Sequence, residues 1–429
     1  ADSLCQSIKV RQKLLQAREL WGNVIFSRNE KFNFQSVYQK CHASQPTIWK
    51  YRETKKIANI ALGHVVADVS TDHGLMERDI LVSVGANGLL SLFLVGKAEQ
   101  EIDPMETHKV DLVWPLNSDQ LPRRKELIRQ LGSLYGSATY LTSDVSCMKL
   151  LRKSSLPDDI LSKHFLITTL GSESASGSVY LLDLSKPLNF GANVPVQGFY
   201  ELASFEQTLW AADCDPEGRC AVIGTNRGVM LLNMETRTSS WVFRCKSDVL
   251  SLQLEQSGKV IFCGLRNGAI MTVDTREKQI KRRADRSLAT SMPSSVCCLT
   301  SLDLWDQYFL ASSMDGSIKL YDHRLIQKGP VQSYEGNVNS HTRIELGVDP
   351  SEKVVMSGGE DSYIRLWDIK SGELLFRERF MNSIPSAVCW PRRGVAFRAD
   401  GQDYRNYWQD HSLGAWLGSY EGIFYMDWL

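Results

Sequence analysis

The chain has 429 residues with 49 basic and 49 acidic side chains, so it has no whole-chain field to draw in nucleic acid or an anionic membrane. Its apolar content of 43% is ample for a core, yet no apolar run is long enough to cross a bilayer, and Ala1-Asp2-Ser3 begins no signal-peptide core. Ten cysteines occur singly or inside apolar stretches such as Ile261-Phe262-Cys263, with no CxxC pair, which reads as reduced core thiols of a soluble intracellular protein. Because the chain opens on Ala1, a segment upstream of it is expected.

Residues 3–21 contain no Gly or Pro and predict a helix, capped by Asp2 or Ser3 and ended by Gly22. Leu4, Ile8, Val10, Leu14, Leu15, Ala17 and Trp21 form its apolar side, with Lys9, Gln12, Lys13 and Gln16 opposite. A second short helix is predicted over 34–42. This arm, residues 1–45, either covers the rest of the protein or docks a partner. Residues 46–52 then alternate apolar and polar as a strand does.

From Asn87-Gly88 onward one pattern recurs: an apolar stretch, a tight turn, then an alternating stretch. Its plainest copies end in Leu320-Tyr321-Asp322-His323-Arg324 and Leu366-Trp367-Asp368-Ile369-Lys370. With the turn glycine as ruler, further copies are Gly88 before Leu89, Gly177 before Val179, Gly228 before Met230, Gly268 before Ile270 and Gly422 before Ile423. Asp215-Pro216-Glu217-Gly218, Glu255-Gln256-Ser257-Gly258 and Asp349-Pro350-Ser351-Glu352 mark a second turn at a constant offset. Repeats of about 40 to 45 residues with this order are the signature of propeller blades. The fold class is therefore all-β: a seven-bladed WD-repeat β-propeller over 46–429, preceded by an N-terminal helical arm. The last copy stops near Trp428 without an outermost strand, so the strand at 46–52 is expected to supply it and close the ring.

The glycine ruler doubles between Gly88 and Gly177. The stretch 111–137, with Pro115, Pro122 and the run Arg123-Arg124-Lys125-Glu126-Leu127-Ile128-Arg129-Gln130, reads as a loop and then a helix. This places an insertion at about 97–143, between the outer strand of blade one and the inner strand of blade two, on the upper face. The basic run 278–286 reads as the outermost strand of blade four, where charge protects an edge, rather than as a nucleic-acid site. The long connection 391–413 is a binding loop or a plain surface loop.

No spacing for a nucleophile–base pair, a metal cluster or a phosphate loop is found, so neither catalysis nor a cofactor is expected. Gly63-His64 reads as structural. Arg324 is different, since Asp322 alone suffices to build a blade. Arg324 sits where a third strand ends and offers a planar fork of donors. Asp274-Thr275-Arg276 repeats the arrangement in the neighbouring blade.

The run Leu310–Arg324, with Gln332-Ser333-Tyr334-Glu335-Gly336-Asn337-Val338-Asn339 and Glu360–Trp367, resembles WD-repeat substrate receptors of the cullin-four ubiquitin ligase, closest to the cullin-four-associated factor four (WD-repeat protein twenty-one) group. The resemblance implies a non-catalytic subunit of nucleus and cytoplasm. It implies docking on the adaptor, damage-specific DNA-binding protein one, and through it on cullin four and a RING subunit. Asp322, Arg324, Asp274 and Arg276 would dock that adaptor, with Leu4, Ile8, Leu14, Leu15 and Trp21 of the helix. An unknown protein substrate would meet the insertion, where Arg123, Arg124, Lys125 and Arg129 give local positive charge. The alternative is a scaffold or peptide-binding propeller with no ligase attachment.

Overall fold

The computed structural model describes residues 24–26, 31–33, 43–51, 59–71, 74–95, 110–115, 135–151, 163–171, 176–189, 196, 198–255, 257–276, 288–391 and 414–428. Apart from a short hairpin, Val24–Phe26 with Lys31–Asn33, the strands form seven antiparallel sheets. Six have four strands and the seventh has five. Each innermost strand packs against the innermost strand of the next sheet all the way round, so the sheets are the blades of a closed propeller.

Blade five shows why this sequence builds a blade. Its strands are Val296–Ser301, Tyr308–Ser313, Ile318–Asp322 and Gln332–Tyr334, hydrogen-bonded in chain order. Tyr308–Ser313 is paired on both edges and sandwiched between neighbouring blades, so it is almost wholly buried and apolar through Ala311. In the turn before the third strand, Gly316 has φ +88°, and a Cβ there would stand 2.6 Å from the Asn337 carbonyl oxygen. Blade six puts Ser362, φ 64°, at the corresponding place. Turns between first and second strands follow a parallel rule. Gly218 and Gly258 both have φ 69°, and Glu352 stands at that position in blade six with φ 52°. These turns and the third-strand ends share one face, here the lower. The second-to-third turns and the connections between blades form the upper face.

Closure follows the expectation. Thr47–Tyr51 pairs with Gly422–Asp427 in the register Thr47 to Asp427 and Lys50 to Phe424. Lys50 Nζ lies 3.0 Å from Glu421 Oε2, and Trp428 Nε1 donates to the Ala43 carbonyl at 3.0 Å. The Trp428 bond thus reaches Ala43, inside the stretch assigned to the arm. A second tie crosses the central channel: Arg343, entering blade six, donates from Nη1 to the carbonyls of Ser146 in blade two and Trp210 in blade three, at 2.8 and 2.6 Å.

Three placements differ from the sequence reading. The stretch read as loop and helix begins with a strand, Val110–Trp114, which is the fifth strand of blade seven, outside Thr47–Tyr51. The signal was there in the β-branched and apolar content of Val110, Leu112, Val113 and Trp114, masked by the following Pro115. Moreover, Tyr135–Tyr140 is the outer strand of blade one and pairs with Leu89–Val95. The insertion therefore interrupts blade one between its third and outer strands and leaves from the lower face, not the upper. In blade four the outer strand is Leu288–Ser291, so the basic run 278–286 precedes it and does not form it. That run, the predicted helices at 3–21 and 34–42, and the connection 392–413 lie outside the described residues.

Ring closure is predicted to be pH-sensitive. Burial pushes the Asp427 carboxyl up to about 6, against a hydrogen bond from the Trp428 N–H that favours its charged form. A raised carboxylate pKa contributes stability below its unfolded value near 3.8, and that stability is lost as pH rises through about 6. Asp427→Asn should therefore raise the melting temperature at pH 8 and leave it nearly unchanged at pH 4, as scanning calorimetry at the two pH values would show.

Candidate docking face

The third strands of five consecutive blades end in an Asp or Asn whose side chain accepts a backbone N–H just ahead. Asp183 takes that of Ser185 at 2.8 Å, Asn233 that of Thr236 at 2.8 Å, and Asp274 that of Arg276 at 2.9 Å. Asp322 takes that of Arg324 at 2.9 Å and Asp368 that of Ser371 at 2.7 Å. This side-chain turn is a structural device that ends the strand and starts the return. It accounts for the Asp or Asn in these five blades and for neither of the arginines.

Only blades four and five add the guanidinium. Arg324 folds back so that Nε and Nη2 donate to the two oxygens of Asp322 at 3.0 and 2.7 Å. Arg276 repeats this on Asp274 at 3.0 and 2.6 Å. Arg324's hydrogen bonds hold the Asp322 carboxyl below its usual range, and Asp322 in turn pushes Arg324 up, so the pair stays ionised. This refines the expected geometry of the fork: one edge is filled by its own aspartate, which leaves the Nη1 edge and the flat face turned outward. Those parts are accessible, since the arginine side chains are 60% and 63% exposed while Asp322 is buried. In blade six Lys370 takes the place of the arginine.

Beneath the blade-five fork, Tyr321 is buried where blade six has Trp367. Its ring continues a stack across the blade boundary, with Phe262–Phe309 centroids 4.9 Å apart and Phe309–Tyr321 5.5 Å. The His323 ring lies beside Phe262, and its Nε2 is 4.0 Å from Glu255 Oε1 in the first turn of blade four. The two forks are thus carried on one interlocked pair of blades and share a face.

Sequence reasoning missed the apolar surface beside Arg324. In the first-to-second turn of blade five, Leu304 and Trp305 are exposed at 47% and 54%, and Leu325, following Arg324, at 49%. The turn abuts the fork because His323 N–H donates to the Gln307 carbonyl at 3.0 Å and Tyr308 pairs with Asp322. The signal was legible: two large apolar residues occupy a turn that is Asp-Pro-Glu-Gly in blade three.

Leu4, Ile8, Leu14, Leu15 and Trp21 lie outside the described residues, as do Arg123, Arg124, Lys125 and Arg129. The described strands on either side of them, Val110–Trp114 and Tyr135–Tyr140, end and begin respectively at the lower face. Among the described residues no group of His, Cys, Asp or Glu is placed to hold a metal ion. The buried His64 lies 3.0 Å from Asp79 on the neighbouring strand, a structural pair inside blade one.

Fold and face together define a WD-repeat propeller with paired Asp–Arg forks at two third-strand ends. A model of the DDB1- and CUL4-associated factor 4 β-propeller domain matches residues 153–395, and the chain belongs to that family. It is similar to DDB1- and CUL4-associated factor 4 of Homo sapiens, with 32% identity over 224 residues, covering 50% of this chain and 43% of that protein. The Bos taurus protein of the same name is 29% identical over 222 residues, with the same coverages. WD repeat-containing protein 21 of Schizosaccharomyces pombe is 31% identical over 152 residues, 34% of each chain. The matched part spans less than half the length of each of these relatives.

Because the aspartate builds the turn and the arginine faces outward, their substitutions should separate. Asp322→Ala should cost about 1 kcal/mol and lower the melting temperature by about 1 °C. Arg324→Ala should leave the melting temperature close to that of the parent.

Proposed function

We propose that this chain is the substrate receptor of a cullin-four RING ubiquitin ligase, held to the adaptor, damage-specific DNA-binding protein one, by the lower face of blades four and five. The observation that carries this reading is the pair of Asp274–Arg276 and Asp322–Arg324 forks, which present arginine edges that blade building does not require. The names of the relatives point the same way, since they describe association with DDB1 and CUL4. The arm acts as a second contact, with Leu4, Ile8, Leu14, Leu15 and Trp21 laid into an adaptor groove in the helix-in-groove manner. The receptor is non-catalytic: it fixes a substrate near the transfer machinery supplied by cullin four and the RING subunit. It works inside the cell, in nucleus and cytoplasm.

Substrate is assigned to the upper face, opposite the adaptor. On the upper face the connection from blade five to blade six is firmly built. Burial raises the Glu360 pKa, but hydrogen bonds from Ser340 Oγ at 2.6 Å, Thr342 Oγ1 at 2.6 Å and the His341 N–H at 3.1 Å outweigh it and bring it down to about 2.

The test is calorimetric titration of the purified chain with the purified adaptor. Arg324→Ala should weaken binding by about tenfold, and the Arg276→Ala, Arg324→Ala double variant by more. Removal of residues 1–42 should weaken it independently. That cut spares Ala43, whose carbonyl ties down Trp428. Unchanged affinity in all three, with unchanged melts, would leave a WD-repeat scaffold with no ligase attachment.

A further inference from the structure

We infer that the blade-five turn carrying Leu304 and Trp305 is the apolar anchor of the adaptor interface, and that Glu352 of blade six is kept in an unfavourable backbone conformation to hold it in place. This rests on the adaptor-docking reading above and adds to it a site that the WD repeat pattern does not mark.

The first observation is position. A partner that reaches the open Nη1 edge of Arg324 covers the neighbouring turn, because the Gln307 carbonyl is bonded to the His323 N–H and Asp306 is close enough to add to the charge stabilising Arg324. Trp305, Leu304 and Leu325 then lose their exposed surface together with the guanidinium. Tryptophan and arginine side by side, flanked by aliphatic side chains, have the composition of an interface hot spot. The partner chemistry that fits is an apolar cleft for the indole, bordered by a carboxylate or carbonyls for the arginine edge.

The second observation is Glu352. Its φ of 52° is the left-handed value that Gly218 and Gly258 supply at the same turn position in blades three and four. A glutamate there is disfavoured, and such an outlier persists where its side chain has a use. The use is visible: its carboxylate accepts the Asp303 N–H at close range through Oε1 and the Leu304 N–H at 3.0 Å through Oε2. Glu352 thus reaches across the blade boundary and pins the base of the Leu304-Trp305 turn, so that the indole is presented in one place before a partner arrives. Preorganised contact residues spare the ordering cost at binding.

Two substitutions separate this from plain architecture. Trp305→Ala removes the anchor and should weaken adaptor binding by about thirtyfold. Glu352→Gly restores the residue that suits the backbone and deletes only the carboxylate. It should leave the melting temperature equal or higher, weaken adaptor binding several-fold and speed hydrogen exchange of the Asp303 and Leu304 amides. Arg324→Ala, measured beside them in the full chain, reports on the docking reading itself. If Arg324→Ala weakens binding while Trp305→Ala binds as tightly as the parent, the anchor is overturned and the docking reading stands. If Glu352→Gly binds like the parent although Trp305→Ala does not, the role of Glu352 is overturned. A parent chain that fails to bind the adaptor overturns both.

Discussion

The pairing of Thr47–Tyr51 with Gly422–Asp427 is the constraint on which the rest of the molecule depends. A propeller blade buries its broad faces only against its neighbours, so an open ring would expose two such faces and leave the last blade short of a strand. Strand pairing, the Lys50–Glu421 ion pair and the Trp428 bond to Ala43 hold this seam from one side. Arg343 holds the ring from within, spanning the channel to the carbonyls of blades two and three. A ring fixed at its seam and its centre offers rigid rims, and side chains on those rims keep their positions without help from a ligand.

The forks exploit that rigidity. Five blades use a side-chain acceptor at the end of the third strand to turn the chain, and an aspartate does this in blades two, four, five and six. In blades four and five the same aspartate also clamps an arginine, which converts a turn into a presented cation at no cost to the turn. The stack of Phe262, Phe309 and Tyr321 joins those two blades, so the two arginines ride on one unit.

Much of this was legible in the sequence. The turn glycines are in phase because several second-to-third-strand turns, such as those at Gly88, Gly268 and Gly316, need a left-handed residue, and that spacing located the blades, while the alternation of residues 46–52 and the missing outermost strand of the last copy located the closing strand. The forks were legible because Arg276 and Arg324 have no role in building a strand end. What was not legible depends on register between distant segments. Val110–Trp114 is a strand only because Thr47–Tyr51 offers an edge, and the outer strands of blades one and four could be placed only once their third strands had chosen Tyr135–Tyr140 and Leu288–Ser291 as partners. The Leu304-Trp305 turn escaped notice because exposed apolar residues in a loop carry no periodicity, and Glu352 looked like one more turn residue until its φ and its reach to Leu304 were seen together.

Hydrogen–deuterium exchange of the full chain with and without the purified adaptor tests the central claim most directly, because it reads both faces of the ring in one experiment. The account predicts slowed exchange on binding at residues 274–276, 302–308 and 322–325, with no change at the upper-face turns 226–228 and 314–316. Protection confined to the upper-face turns, or absent from the lower-face segments of blades four and five, would contradict it.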